Sequence, residues 1–105
     1  MTFLCHVNDI ACPGSKEFSL EGRAVFVVRK EDGITAFINC CPHTGAPLNW
    51  QPHRFLDADN QYIQCDLHMA VFDSKTGQCL AGPCVGDHLQ SVNVSVKEDH
   101  IFLDK

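Results

Sequence analysis

The sequence lacks any long run of apolar residues, although 45% of its 105 residues are hydrophobic. A helix that crosses a bilayer needs roughly 20 such residues in succession, so the pattern predicts a soluble chain. Positive charge is also scarce, because 8 lysines and arginines against 13 aspartates and glutamates give a net charge of −5 at pH 7. This balance disfavours nucleic acid and anionic membrane surfaces as partners.

Helical periodicity, internal repeats and linker-like composition are all missing from the sequence. The N-terminus has no basic start, no long apolar run and no small-residue cleavage site, so we expect no secretory signal and a cytoplasmic location. A length of 105 residues allows one domain with one modest core. We therefore expect a single domain over residues 1–105.

Cysteine, by contrast, is abundant, with seven residues beside six histidines. An odd cysteine count without a secretory signal favours free thiols and metal ligands over disulfides. The sequence contains Cys41-Pro42-His43 and, after 21 intervening residues, Cys65-Asp66-Leu67-His68. Each half offers one thiol and one imidazole within a single turn, so two loops could present two sulfur and two nitrogen ligands to a metal centre.

Short β-branched and aromatic runs, separated by turn residues, predict an all-β fold. Residues 24–29 and 34–39 have the pattern of a hairpin around Glu31-Asp32-Gly33, and the second of these strands leads to the first ligand pair. Residues 61–65 form a predicted strand that ends at the second pair. A second hairpin is predicted over residues 70–80, with Gly77 at a positive φ. Residues 91–96, as one strand, and 100–103 are expected to pair with the N-terminal strands.

The ligand types alone do not decide between a zinc site and a centre that holds two metal ions. A structural zinc site also uses Cys and His pairs, but it usually opens with two cysteines two residues apart. Here each half mixes one thiol with one imidazole. Such mixing suits a centre whose two metals prefer different ligands.

The segment from Cys41 to Leu48, read with Cys65-Asp66-Leu67-His68 and Gly82-Pro83, resembles the two ligand boxes and the third, proline-containing loop of Rieske proteins. In a Rieske [2Fe-2S] cluster two cysteinates hold one iron and two imidazoles hold the other. The resemblance implies one such cluster per chain. It assigns Cys41 and Cys65 to the inner iron, and His43 and His68 to the outer iron near the surface.

The resemblance also implies an antiparallel β sandwich or barrel as a base, formed by residues 1–39 and 85–105. A loop-rich cluster-binding subdomain, residues 40–84, is inserted into it. Backbone N–H groups from both boxes are expected to bond the cluster sulfurs, while the third loop and one leucine give a dry cover. These residues are Thr44, Gly45, Met69 and Ala70 for the N–H groups, and Leu48, Gly82 and Pro83 for the cover.

Four positions depart from the high-potential members of that family, which occur in respiratory and photosynthetic cytochrome complexes. Those members have a disulfide between the boxes where this chain has Ala46 and Leu67, and serine and tyrosine hydroxyls where it has Ala70 and Phe72. Without these groups we expect a reduction potential near the low end of the Rieske range, roughly −150 mV. Met69 stands where the family usually has glycine, and a positive φ there would cost about 1 kcal/mol.

The remaining cysteines and histidines are not assigned to the metal centre, and the histidines have no second ligand at metal spacing. Cys40 is predicted to be a packed thiol rather than a fifth ligand, and Cys5 and Cys12 to be core or surface thiols. Cys79 and Cys84 are close in sequence, but no disulfide is expected between them in a reducing compartment. The other histidines are predicted to lie on the surface: His6, His53, His88 and His100.

The resemblance implies a soluble one-electron carrier that passes electrons from a reductase to an oxygenase or another terminal enzyme, docking near His43 and His68. Two alternatives stand beside it: a small redox subunit of an assimilatory, nitrite reductase-like complex, and a zinc-binding interaction module. An oxygenase in its own right is disfavoured, because about a hundred residues leave no room for a second domain with a mononuclear iron. We therefore expect an electron-transfer protein rather than an enzyme.

Overall fold

A computed structural model of the chain describes residues 2–20, 22–31, 33–40, 42, 48, 53, 55–57, 61–65, 70–82 and 85–104. These residues form ten β-strands and one 3₁₀ turn at Val7–Asp9. The strands are β1 Thr2–His6, β2 Gly14–Leu20, β3 Arg23–Lys30, β4 Gly33–Ile38, β5 Tyr62–Gln64, β6 Val71–Asp73, β7 Cys79–Ala81, β8 Ser91–Val92, β9 Val94–Lys97 and β10 His100–Leu103.

The strands form three antiparallel sheets. An outer sheet has the order β1-β10-β9, a central sheet the order β2-β3-β4-β8, and a small sheet the order β5-β6-β7. The predicted all-β class is confirmed. The small sheet positions Cys65, the first residue of the predicted second ligand pair, since Cys65 directly follows β5.

The central sheet is buried on both faces, and β3 shows why. Successive side chains of a strand point to opposite faces, and four consecutive β3 residues are buried, Val25 to Val28. Val25 and Val27 pack in one core with residues of β1 and β10, among them Cys5 and Ile101. The other two, Phe26 and Val28, belong to a second core with Ile63, Phe72 and Cys79 of the small sheet. The central sheet therefore carries the small sheet on one face and the outer sheet on the other.

Both predicted hairpins are present. β3 pairs with β4 from Val25↔Ile38 to Lys30↔Gly33. In the connection between β6 and β7, Gly77 has φ 79°, as predicted, and its N–H donates to the Asp73 carbonyl over 2.8 Å. The Asp73 carboxylate accepts the Lys75 N–H over 2.7 Å. A side chain that accepts backbone N–H groups in this way stabilises a tight turn.

The prediction of one strand over residues 91–96 is wrong. The segment is divided at Asn93 into β8, which pairs with β4 of the central sheet, and β9, which pairs with β10 of the outer sheet. A strand that passes between two packed sheets must bend at the corner. The alternating pattern survives the bend because Val92 and Val94 both pack against the core between those sheets.

Nowhere in the described part of the chain is there a helix with the length and apolar character needed to span a bilayer.

Candidate metal centre

Cys65 is the one predicted ligand that lies among the described residues, and it is buried, with 0% of its surface exposed. Its N–H donates to the Ala70 carbonyl over 2.8 Å, one step beyond the β5–β6 pair Gln64↔Val71. This bond joins the two ends of the 66–69 connection. The hairpin ladder thus extends to the cysteine and holds its backbone in place.

The first box is closed at its base by a side chain. Asn39 is buried at the end of β4, and its Oδ1 accepts the Leu48 N–H over 2.8 Å. The Asn39 N–H donates to the Ala24 carbonyl over 2.9 Å, which ties this residue to β3. One asparagine therefore joins the two ends of the 40–47 connection and fixes them to the central sheet.

The third loop approaches the second box very closely at Gly82. A Cβ built on Gly82 would stand 2.8 Å from Ala70 Cα and 3.1 Å from Ala70 Cβ, and Gly82 has φ 97°. Both the contact and the backbone conformation exclude a side chain at this position. The glycine lets the third loop lie directly on the residue that closes the second box.

The ends of the two boxes meet in one core. Leu48, Cys65 and Ala70 belong to the same buried cluster, which also contains Phe55 and Phe72. A buried thiol at the junction of three loops, with one loop seated on another, fits a thiolate ligand shielded from water. Within the described residues no group of three or more His, Cys, Asp or Glu side chains converges.

Several of the predicted site residues lie outside the described residues. Leu48, Cys65, Ala70 and Gly82 are brought together as above, and Phe72 is buried beside them. The four-residue ligand set therefore stays a prediction. The residues outside are Cys41, His43, Thr44, Gly45, Ala46, Leu67, His68, Met69, Pro83 and Cys84.

The remaining thiols divide between core and surface. The prediction that Cys40 is packed is wrong, because Cys40 is exposed. Its N–H donates to the Ile38 carbonyl over 2.9 Å, and so tight a turn ends the strand alternation on which the prediction depended. Cys5 is in the core, where burial raises the pKa of its thiol. Cys79 is a buried free thiol whose Sγ donates to the Ala81 carbonyl, and Cys12 is exposed.

Sequence reasoning missed two residues whose hydrogen bonds tie the region around the site to the central sheet, Asn39 and His53. It assigned no role to Asn39, and it placed His53 on the surface, where it is indeed exposed. His53 nevertheless bonds to Glu17, which lies 36 positions away. The signals in the sequence were a polar residue at the end of a strand, just before a ligand pair, and a histidine in the segment between the two pairs. Neither signal identifies a partner so distant in sequence.

Comparison with known proteins assigns the family. Residues 1–96 match the family model described as Rieske [2Fe-2S] domain. A curated relative, the cytochrome b6-f complex iron-sulfur subunit of Chlorobaculum thiosulfatiphilum, is 39% identical over 69 residues, covering 66% of this chain. The match spans only 34% of that relative's own length.

Solved structures extend the similarity to the whole fold. The ferredoxin of carbazole 1,9a-dioxygenase from Nocardioides aromaticivorans is 28% identical, with a TM-score of 0.78 over 98% of this chain and 97% of that one. The terminal oxygenase of the same system is 18% identical with a TM-score of 0.81, over 99% of this chain and 30% of the oxygenase. At that identity the oxygenase shares the fold alone.

The family model and the similarity to a ferredoxin over the whole fold therefore define an iron–sulfur protein. The chain belongs to the Rieske [2Fe-2S] domain family. Its cofactor is a [2Fe-2S] cluster, as the resemblance implied. These similarities support an electron carrier rather than a substrate-converting enzyme.

Proposed function

We propose that this chain is a low-potential Rieske ferredoxin that passes single electrons from a reductase to an oxygenase or another terminal enzyme. The observation that carries this proposal is the similarity to an oxygenase ferredoxin over nearly the full length of both chains. Cys41 and Cys65 hold one iron of the cluster, and His43 and His68 hold the other. The cluster-binding part is residues 40–84, carried on a base formed by residues 1–39 and 85–105.

When bound, the cluster supplies one-electron chemistry with little change in geometry. The chain's own part is to bury the sulfur side of the site and to exclude water from it. Cys65, Leu48, Ala70 and Phe72 are all fully buried, which supports a dry environment on that side. Neither Ala70 nor Phe72 offers a hydroxyl donor, and this absence supports the low potential.

Partners are proposed to dock near His43 and His68, the ligands of the outer iron. The net charge of −5 favours a basic surface on the partner. The solved structures that share this fold include a complex of an oxygenase with a ferredoxin at 24% identity. The predicted cytoplasmic location stays a prediction.

A second candidate is a redox subunit of a larger complex. The nitrite reductase-like alternative stays open, and the similarity to a cytochrome complex subunit over two thirds of this chain favours a subunit role as well. The reduction potential separates the cytochrome role from the ferredoxin role, since we expect a value well below zero for a ferredoxin.

Anaerobic mixing experiments test the proposal. The oxidised protein is mixed with a flavin reductase and NADH, then with a substrate-loaded Rieske oxygenase, while the visible bands of the cluster are followed. The proposal predicts reduction in the first step and reoxidation in the second, with one electron per chain. The ferredoxin role would be excluded if the protein were not reduced by NADH with the reductase or by any other flavin-linked donor.

A further inference from the structure

The segment at residues 53–57, which lies between the two ligand boxes, connects the edge of the central sheet to the edge of the small sheet. On one side its residues bond to β2, the edge strand of the central sheet. On the other side Leu56 forms a bridge with Ile63 of β5, and the Asp57 N–H donates to the Tyr62 carbonyl over 2.9 Å. The segment therefore holds the two sheets together.

His53 anchors this segment to β2 through its ring and its backbone. The Glu17 N–H donates to the ring Nδ1 over 3.0 Å, and the Ser15 hydroxyl donates to the His53 carbonyl over 2.7 Å. The His53 N–H donates to Glu17 Oε1 over 3.3 Å. His53 has φ 64°, a left-handed conformation that is uncommon outside glycine but more frequent for asparagine, aspartate and histidine than for other residues. The three bonds tie the residue to β2.

The ring must be neutral for this arrangement to exist. A backbone N–H can only donate, so Nδ1 is the acceptor and the ring proton is on Nε2. A protonated imidazole has no lone pair and loses the bond. Among the described residues, the charged group bonded to His53 is the Glu17 carboxylate, which accepts the backbone N–H of His53. Lys16 projects to the opposite face of β2, over the Phe18 ring, and β3 presents the apolar Phe26 opposite Glu17.

The anchor is connected to the cluster site by two further contacts. The Phe55 ring stacks on Phe26, with centroids 4.1 Å apart and planes within 5°. The Phe55 carbonyl accepts the Gln64 N–H over 2.9 Å, and Gln64 directly precedes Cys65. The Phe55 N–H also donates to the Ser15 Oγ over 3.3 Å. A short path of hydrogen bonds and chain neighbours thus runs from β2 through residues 53–55 to the backbone of the cysteine.

We propose that His53 is a positioning residue that helps to hold the Cys65-bearing strand on the central sheet while its ring is neutral, and that this hold weakens when the ring is protonated. The inference rests on Cys65 as a cluster ligand in the proposed function. It goes beyond that function because it assigns an acid-sensitive control to a residue that is not a ligand. Because a protonated ring cannot accept the Glu17 N–H, the anchor should weaken in acid solution.

Two variants separate the ring acceptor from the backbone conformation. His53→Asn keeps an acceptor atom near the Nδ1 position and tolerates positive φ, but it does not titrate. His53→Gly tolerates positive φ and has no acceptor. Thr35→Val serves as a control, because it removes a different bond between the central and small sheets, from Thr35 Oγ1 to the Ser74 carbonyl over 2.7 Å.

The holoprotein and the three variants are compared at about pH 8 and about pH 5.5. One readout is amide exchange at Glu17, corrected for intrinsic exchange, and the other is the rate of cluster release to a chelator, from the visible absorbance. In the wild type both rates should rise when the pH is lowered. This rise should be about threefold to tenfold larger than the rise in His53→Asn, which is the range expected for the loss of one hydrogen bond. In His53→Gly both rates should be fast at both pH values. In Thr35→Val both rates should rise at the lower pH as they do in the wild type.

The proposal would be overturned if the two rates rose equally in His53→Asn and in the wild type at the lower pH. It would also be overturned if His53→Gly released the cluster at the wild-type rate at the higher pH. Glu17 exchange that follows His53 while cluster release does not would overturn the coupling to Cys65. Neither readout uses a redox partner, so failure here is distinct from failure of the electron-transfer assay.

Discussion

Gly82 and Ala70 lie in contact so close that no side chain fits between them. A Cβ on Gly82 would stand 2.8 Å from Ala70 Cα, inside the distance that non-bonded carbon atoms tolerate. Because Ala70 also accepts the Cys65 N–H, the third loop lies directly over the base of the second ligand box. The position of Gly82 is thus fixed by the contact of its backbone with Ala70.

Gly82→Ala should therefore lower the free energy of unfolding by about 2–4 kcal/mol, because it adds a clash to the unfavourable positive φ. Gly86→Ala is the matched control. Gly86 also has a positive φ, 102°, but a Cβ added there would meet nothing within 4 Å, so we expect a loss of only about 1 kcal/mol. Urea unfolding of the two holoproteins measures the difference, and equal losses would contradict the account of the contact.

Asn39→Ala should destabilise the first ligand box. It leaves the Leu48 N–H without its buried acceptor, which costs about 1–3 kcal/mol, and it should speed cluster loss. Asn93→Ala, at an exposed position, should change stability by no more than about 0.5 kcal/mol. If both variants unfold at the same denaturant concentration, the side chain of Asn39 does not close the box.

Cys5 should make stability fall in alkaline solution. Burial raises the pKa of its thiol in the folded protein above the ordinary value of 9.0. The folded state thus keeps a proton that the unfolded state releases, and stability falls as pH rises from about 9 towards the folded pKa, at up to about 1.4 kcal/mol per pH unit. Unfolding measurements on Cys5→Ala should show a shallower fall, whereas Cys12→Ala should match the wild type.

Hydroxyl groups at two buried positions should raise the reduction potential. Ala70→Ser and Phe72→Tyr restore donors of the kind found in high-potential members of the family. A bond that favours the reduced cluster by about 1.4 kcal/mol raises a one-electron potential by roughly 60 mV. Spectroelectrochemical titration should give roughly −150 mV for the wild type and higher values for both variants. Tyr62→Phe, at an exposed position, should leave the potential unchanged, and a wild-type potential above zero would refute the low-potential assignment.

The sequence predicts those parts of the fold that local patterns determine. Alternating side chains indicated the strands, and Gly33 and Gly77 marked the two hairpins, because tight turns need residues that tolerate unusual backbone angles. The two mixed Cys and His pairs indicated a metal centre, and their resemblance to the Rieske ligand boxes implied the cofactor. These features require no knowledge of distant contacts.

Long-range contacts account for what was missed. The bend at Asn93 results from packing between two sheets, while the sequence on either side keeps one continuous alternation. His53 and Asn39 act through partners that no local pattern reveals. Cys40 was misplaced because its tight turn depends on how β4 ends, which alternation does not describe.

The ligand set is the central claim, and electron–nuclear double resonance on the reduced protein tests it most directly. The protein is purified anaerobically with all its histidines labelled with ¹⁵N and is reduced by one electron. The account predicts a paramagnetic signal with an average g below the free-electron value and strong coupling to two histidine nitrogens. A reduced cluster with no coupled histidine nitrogen, or a colourless protein that contains zinc, would contradict it.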